Sequence, residues 1–106
     1  MSHKVAVASS DGKVVNRHFG HADKFLIFEV DEKTFCFLEV RETVPYCQNQ
    51  SHGASSAALD ALADCKAVLV SRIGPGAREE LKSRGVESWV ITDFIESALM
   101  QYVQRH

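Results

Sequence analysis

The side chains of this 106-residue chain best suited to bind a soft or borderline metal are five histidines and three cysteines, and they are unevenly spread. His18 and His21 fall in the run Asn16-Arg17-His18-Phe19-Gly20-His21, and Cys47 follows Pro45-Tyr46, with His52-Gly53 shortly after. His3 and His106 stand at the two ends and are expected to be solvated. Neutral imidazole and thiolate are the groups that take iron and related metals. His18 and His21 converge on one metal only if the chain turns between them, and Gly20 would permit such a turn. There is no C-x-x-C, and Cys47 to His52 is not a zinc-finger spacing, so a closed four-ligand zinc site is not expected. A third stretch, Ser71-Arg72-Ile73-Gly74-Pro75-Gly76, opens a helix. Pro in the first helical turn is a common start, and free N–H groups there can also face an anion. Arg17 and Arg72 would complement the same negative charge. Each piece has a plainer reading as well: loop histidines and surface arginines are mostly solvated.

These residues need elements to hold them. Residues 4–8 (KVAVA) form a short apolar run that reads as a buried strand, stopped by the turn formers Ser9-Ser10-Asp11-Gly12. Residues 25–30 (FLIFEV) and 35–43 (FCFLEVRET) read as a hairpin around Asp31-Glu32-Lys33-Thr34. Strict alternation places Cys36, Leu38 and Val40 on one face, which makes Cys36 a core residue. A helix is expected over residues 54–63, with Ala57, Ala58, Ala61 and Leu62 as its apolar stripe. Cys65, just after it, reads as a structural thiol. Residues 67–70 (AVLV) are continuous and apolar, as in a strand covered on both faces. The helix opened by Gly74-Pro75-Gly76 carries Glu79 and Glu80 early and Lys82 and Arg84 late, and Gly85 can stop it. Residues 87–91 form a last strand. Asp93 and Glu96 then have capping-box spacing for a helix whose apolar face is Phe94, Ile95, Ala98, Leu99, Tyr102 and Val103.

The order β-β-β-α-β-α-β-α argues for one α/β domain over residues 1–106, a mixed five-stranded sheet with three helices packed on it. If the first strand runs up, the hairpin returns the third strand upward, and a right-handed crossover sets the fourth parallel to the first. Three loops then share one sheet edge: residues 9–24, 44–53 and 71–76. They bring His18, His21, Cys47 and His52 to one rim together with Arg17, Arg72 and Gly74-Pro75-Gly76. Ligands of open α/β sheets bind at such carboxyl ends. The convergence points to a soft-metal or metal–sulfur cluster site.

The segments KVAVASSDGKVVNRHFGHADKFLIFEVD (residues 4–31) and SRIGPGAREELKSRGVE (residues 71–87) resemble the dinitrogenase iron–molybdenum cofactor-biosynthesis family, the NifX- and NifB-like proteins. The similarity runs over nearly the whole chain, and N-R-H-F-G-H-A is its most specific part. The resemblance implies a ribonuclease H-like fold and non-enzymatic binding and transfer of an iron–sulfur or iron–molybdenum cofactor precursor. It implies that His18 and Cys47 are ligands to the metal, with His21 and His52 near the cofactor, and the rim itself sets Arg17, Gly20, Gly74 and Gly76 around that cofactor. It also implies a cluster-synthesising radical enzyme and an acceptor protein as partners.

Composition narrows the rivals. With 45% hydrophobic and 25% charged residues the chain can bury an ordinary core. A net charge of −2 gives no general attraction to nucleic acid or to anionic lipid. No apolar run is long enough to span a bilayer and none reads as a secretory signal, so a cytoplasmic protein is expected. A two-metal nuclease needs clustered carboxylates on its strands, and the first and fourth strands carry none. The alternatives to a carrier are a small hydrolase using the His/Cys rim, without a nucleophile motif to support it, and a protein–protein adaptor. A monomer or weak dimer is expected, with Trp89 on the last strand as the residue that would serve a dimer.

Overall fold

The computed structural model describes residues 2–43 and 56–105. Its elements are β1 (His3–Val7), a 3-10 turn (Phe19–His21), β2 (Lys24–Val30), β3 (Phe35–Glu42), α1 (Ser56–Ala61), β4 (Cys65–Val70), α2 (Pro75–Ser83), β5 (Glu87–Val90) and α3 (Ile95–Arg105). The five strands form one sheet in the order β3-β2-β1-β4-β5. β1 is antiparallel to β2 and β2 to β3, whereas β1–β4 and β4–β5 are parallel. The expected mixed sheet with three helices is present. Among the described residues, no helix is long and apolar enough to cross a membrane.

The continuous apolar runs of β1 and β4 follow from burial on both faces. Ala6, Phe25, Ile27, Val68 and Val70 pack with Ala58, Leu59 and Leu62 around α1 and with Ala77 and Leu81 of α2. On the opposite face Val5, Val7, Leu26, Phe28, Ala67 and Leu69 pack under Ile95, Ala98, Leu99 and Tyr102 of α3. Removing such aliphatic and aromatic side chains from water stabilises the fold by about 1.5–3 kcal/mol each. Cys65 is buried at the start of β4, as a structural thiol should be, and burial raises its pKa to about 11.

Several expectations are corrected. Cys36 is exposed, not in the core. β3 is an edge strand, and a β-bulge breaks its alternation: Phe28 pairs with Phe37 but Ile27 pairs with Glu39, leaving Leu38 as the extra residue. Cys36 therefore lies opposite Glu29, on the other face from Val40, which lies opposite Leu26. In the α1 region, burial is deepest at Ala58, Leu59 and Leu62, with Ala57 and Ala61 only half-buried. Phe94 is exposed and lies outside the buried face of α3. Asp93 does not form the expected box: its Oδ1 accepts the adjacent Phe94 N–H (2.7 Å) and its Oδ2 accepts Gln101 Nε2 (3.1 Å). The Ile95 N–H at the helix start donates instead to the Lys13 carbonyl. Glu79 and Glu80 fall beyond the first turn of α2. His3 is half-buried, its Nε2 2.8 Å from the Tyr102 hydroxyl, because β1 starts at His3 and lies beneath α3. Trp89 is also half-buried, in an edge-to-face contact with Tyr102 (5.1 Å). His106 lies outside the described residues.

Candidate functional site at the C-terminal edge of the sheet

β1 leaves toward β2 on one side, and β4 leaves through α2 toward β5 on the other. The two neighbouring parallel strands thus make a point where the connections diverge, the favoured ligand position of an open α/β sheet. The segment after β1 is pinned across this point. Ser9 Oγ donates to Asp11 Oδ1, which also accepts the Lys13 and Val14 N–H groups. Those backbone donors, Lys13 first, hold the Asp11 carboxyl below its ordinary pKa. Gly12 turns the chain at a φ of 75°, where a side chain would be strained. Asn16 Oδ1 accepts the Ser10 N–H.

The chain then lies against the ends of β1 and β4 like a fragment of an extra strand. Arg17 N–H donates to the Ala8 carbonyl, Ser71 N–H to the Arg17 carbonyl, and Phe19 N–H to the Arg72 carbonyl. His18 and Arg72 form a parallel β-bridge. Facing residues of such a pair project from the same side. Both side chains are exposed, so an imidazole and a guanidinium stand together on the outer side of the rim. Phe19 is fully buried against Phe25 (ring centroids 5.9 Å apart) and anchors the loop. The 3-10 turn begins there, and the His21 N–H donates to the His18 carbonyl at 3.0 Å. This turn brings the exposed His18 and His21 rings to a centroid distance of 5.7 Å, only 17° from parallel. Gly20 does not have the left-handed φ that would have required glycine, because a 3-10 turn uses ordinary backbone angles.

Arg17 also holds the loop together. It is half-buried, and its Nη2 donates to the His21 carbonyl at 2.6 Å, closing the histidine turn. Its Nε and the Ser71 hydroxyl are buried without a hydrogen-bond partner among the described residues. Gly74 caps α2 with no side-chain bond, and Pro75 opens the helix. Among the described residues, a Cβ placed at Gly74 or Gly76 would meet nothing within 4 Å at the helix start. β3 ends at the same rim, where the Thr43 N–H donates to the Asp23 carbonyl at 2.8 Å. A polar hollow of about 460 Å³ separates the two loops, lined by Ser10, Arg17, Asp23, Lys24, Glu42 and Thr43.

Of the residues singled out in the sequence, His18, His21, Arg17, Gly20, Arg72 and Gly74 lie on the loops of this rim, and Gly76 in the first turn of α2 beside it. Cys47, His52 and Gly53 lie outside the described residues. Among the described residues, no group of three or more His, Cys, Asp or Glu side chains is placed to hold a metal ion. Ser71 was not anticipated. The signal available for it was its position directly after the buried run Ala67–Val70.

The chain matches, over residues 1–105, the family model described as dinitrogenase iron-molybdenum cofactor. It is 38% identical over 102 residues to the FeMo cofactor biosynthesis protein NifB of Frankia alni, covering 92% of this chain and 20% of that protein. It is 42% identical over 93 residues to NifB of Klebsiella pneumoniae, covering 81% of this chain and again 20% of the relative. The chain thus spans about a fifth of the length of these relatives. Its fold is similar to an NMR structure of a Thermotoga protein described as a NifB candidate, with a TM-score of 0.67, 21% identity, and coverage of 96% of this chain and 88% of that one. The chain therefore belongs to the dinitrogenase iron–molybdenum cofactor family, whose NifB relatives are named for biosynthesis of that cofactor.

Proposed function

We propose that this domain binds and hands over a metal–sulfur precursor of the iron–molybdenum cofactor, and that His18 ligates the metal. The observation that carries this reading is the His18–Arg72 bridge: an exposed imidazole fixed beside an exposed guanidinium at the diverging ends of β1 and β4. Imidazole suits iron, and an anionic sulfide cluster is met by Arg72 and by the uncapped start of α2. The buried Arg17 Nε and Ser71 Oγ, without a partner among the described residues, are donors that suit an acceptor-rich ligand at the rim. His21 stacks on His18 and orients it or adds a second nitrogen. The sequence adds Cys47 as a thiolate ligand and His52 near the cofactor, both outside the described residues.

Exposure favours a carrier over an enzyme. Both imidazoles are open to solvent, whereas acid–base catalysis gains from groups oriented in a water-excluded cleft. A cluster held by one or two protein ligands keeps open positions, which suits transfer to an acceptor; a full set of thiolates would retain it. We read the sheet as ribonuclease H-like, the site of action as the cytoplasm, and the donor and acceptor as a cluster-synthesising radical enzyme and a second cofactor-handling protein.

The test is anaerobic titration of the purified protein with an iron–sulfur cofactor precursor, followed by visible absorption. Stoichiometric charge-transfer bands are expected for wild type, weakened in His18→Ala and lost in the His18→Ala/Cys47→Ala double variant. No uptake by wild type, where a known carrier loads, would overturn the reading in favour of an adaptor.

A further inference from the structure

Among the described residues β3 is an edge of the sheet, eight residues long, and its exposed side chains are unusually apolar. Phe37 is 53% exposed and Val40 49%, with Leu38 exposed between them. Phe94, 65% exposed, stands with Phe37 on an apolar groove of about 650 Å³ floored by Leu26, Phe28 and Phe35. Natural edge strands are ordinarily short, charged or covered, because their unpaired backbone groups recruit another strand. Here backbone with no strand beyond it among the described residues and apolar side chains occupy one surface. We propose that this surface is a homodimer interface in which β3 pairs antiparallel with β3 of a second copy, joining two sheets into one.

The bulge identifies a second copy as the partner that fits. Phe35, Phe37, Val40 and Glu42 lie opposite Val30, Phe28, Leu26 and Lys24 of β2, on the α3 face of the sheet. Cys36, Glu39 and Arg41 lie opposite Glu29, Ile27 and Phe25, on the α1–α2 face. Facing residues of an antiparallel pair must project from the same face. Centring a two-fold axis between Leu38 and Glu39 meets this condition at each pair outside the bulge, and sets Leu38 beside Glu39 of the partner subunit at the axis. Phe37 faces Val40 of the partner subunit, Val40 faces Phe37 of the partner subunit, Cys36 faces Arg41 of the partner subunit, and Phe35 faces Glu42 of the partner subunit. Aromatic and β-branched residues form favourable cross-strand pairs. Shifting by one residue sets Glu39 against its own copy and Phe37 against an arginine of the opposite face. Self-pairing in this register is thus selected by face, and it keeps Glu39 away from its own copy.

The surface is modest. Half-exposed Phe37 contributes on the order of 100 Å², and the whole strand falls short of the roughly 800 Å² per partner of a standard interface. A weak, concentration-dependent dimer follows. Antiparallel pairing points the two His18 rims to opposite ends of the joined sheet, so the interface stands independently of the cluster reading.

Sedimentation of the full chain from micromolar to near-millimolar concentration tests this. The apparent mass is expected to rise from 11.8 kDa toward twice that value. Phe37→Glu/Val40→Glu, at half-exposed positions, should keep its circular dichroism and weaken association at least tenfold, whereas Val90→Glu on the opposite edge should leave it unchanged. Amide exchange over residues 35–42 should slow as concentration rises. A mass that stays at the monomer value overturns the proposal, as does association lost only in Val90→Glu. If the double variant unfolds, wild-type exchange decides, and protection confined to residues 87–90 overturns it.

Discussion

The backbone of His18 is bridged in parallel to that of Arg72, so two residues distant in sequence present their side chains from the same side of the rim. If Arg72 neutralises a bound anionic cluster, Arg72→Glu should weaken uptake by about tenfold, or 1.4 kcal/mol. Because Arg72 is exposed, thermal stability should hardly change. Arg72→Lys should recover part of the affinity, with a steeper dependence on salt. Equal uptake by all three proteins would remove Arg72 from the site.

The histidine turn depends on a residue that never meets ligand. Phe19 is fully buried against Phe25. Phe19→Ala should cost about 3–5 kcal/mol in urea unfolding, the usual range for a buried Phe. The His18 and His21 ring resonances should lose their mutual shielding in NMR spectra of the variant. Unchanged ring shifts would show that the loop is held by its backbone bonds alone.

Two cysteines of the described fold should differ sharply in reactivity. Cys36 is exposed and Cys65 is buried, with its pKa pushed up to about 11 by burial. Mass spectrometry after brief alkylation of the native protein should show Cys36 modified and Cys65 intact, and unfolding should release Cys65. A thiol whose pKa is raised on folding adds stability below its unfolded value. That contribution is lost as pH rises from about 8.5 to about 11. Cys65→Ala should flatten this alkaline decline.

Asp64 accepts two hydrogen bonds from Arg41 (2.6 and 3.0 Å) and one from Lys4 (3.0 Å). Arg41, and then Lys4, hold its carboxyl well below the usual carboxylate range. The contribution to stability is therefore present above about pH 4 and lost as pH falls further. The side chain is half exposed, so solvent screening limits the effect to about 1 kcal/mol. Asp64→Asn should lower stability at neutral pH and show a shallower acid limb in pH-dependent unfolding. Parallel acid limbs would contradict the linkage.

Gly85 ends α2 at a φ of 82°. Gly85→Ala should cost about 1–2 kcal/mol, since left-handed backbone disfavours a Cβ. Gly74, at a φ of −79° and the N-cap of α2, should accept alanine without backbone strain at the N-cap cost of about 0.5–1 kcal/mol. A cluster seated against the start of α2 would still feel the added methyl as weaker uptake. Chemical denaturation and titration of both variants separate the two effects.

Elements whose local pattern agrees with their environment were legible in the chain itself. Apolar β1 and β4, the hairpin at residues 31–34, the Pro75 helix start and the Gly85 stop each follow from side-chain type and spacing. The gathering of His18, Arg17 and Arg72 on one rim followed from strand direction, because antiparallel and right-handed parallel connections leave few orientations open. Cys36 and Phe94 were misread because exposure depends on what lies across the sheet. Apolar type and alternation cannot say that β3 ends the sheet or that a bulge at Leu38 reverses its faces. Equally, only long-range backbone pairing made Arg17 the clamp of the histidine turn and buried the Ser71 hydroxyl beside the ends of β1 and β4. Sequence determined the elements, since propensity and periodicity act over a few residues. Tertiary structure decided the edge, the bulge and the His18–Arg72 pairing, since each depends on contacts between residues far apart in the chain.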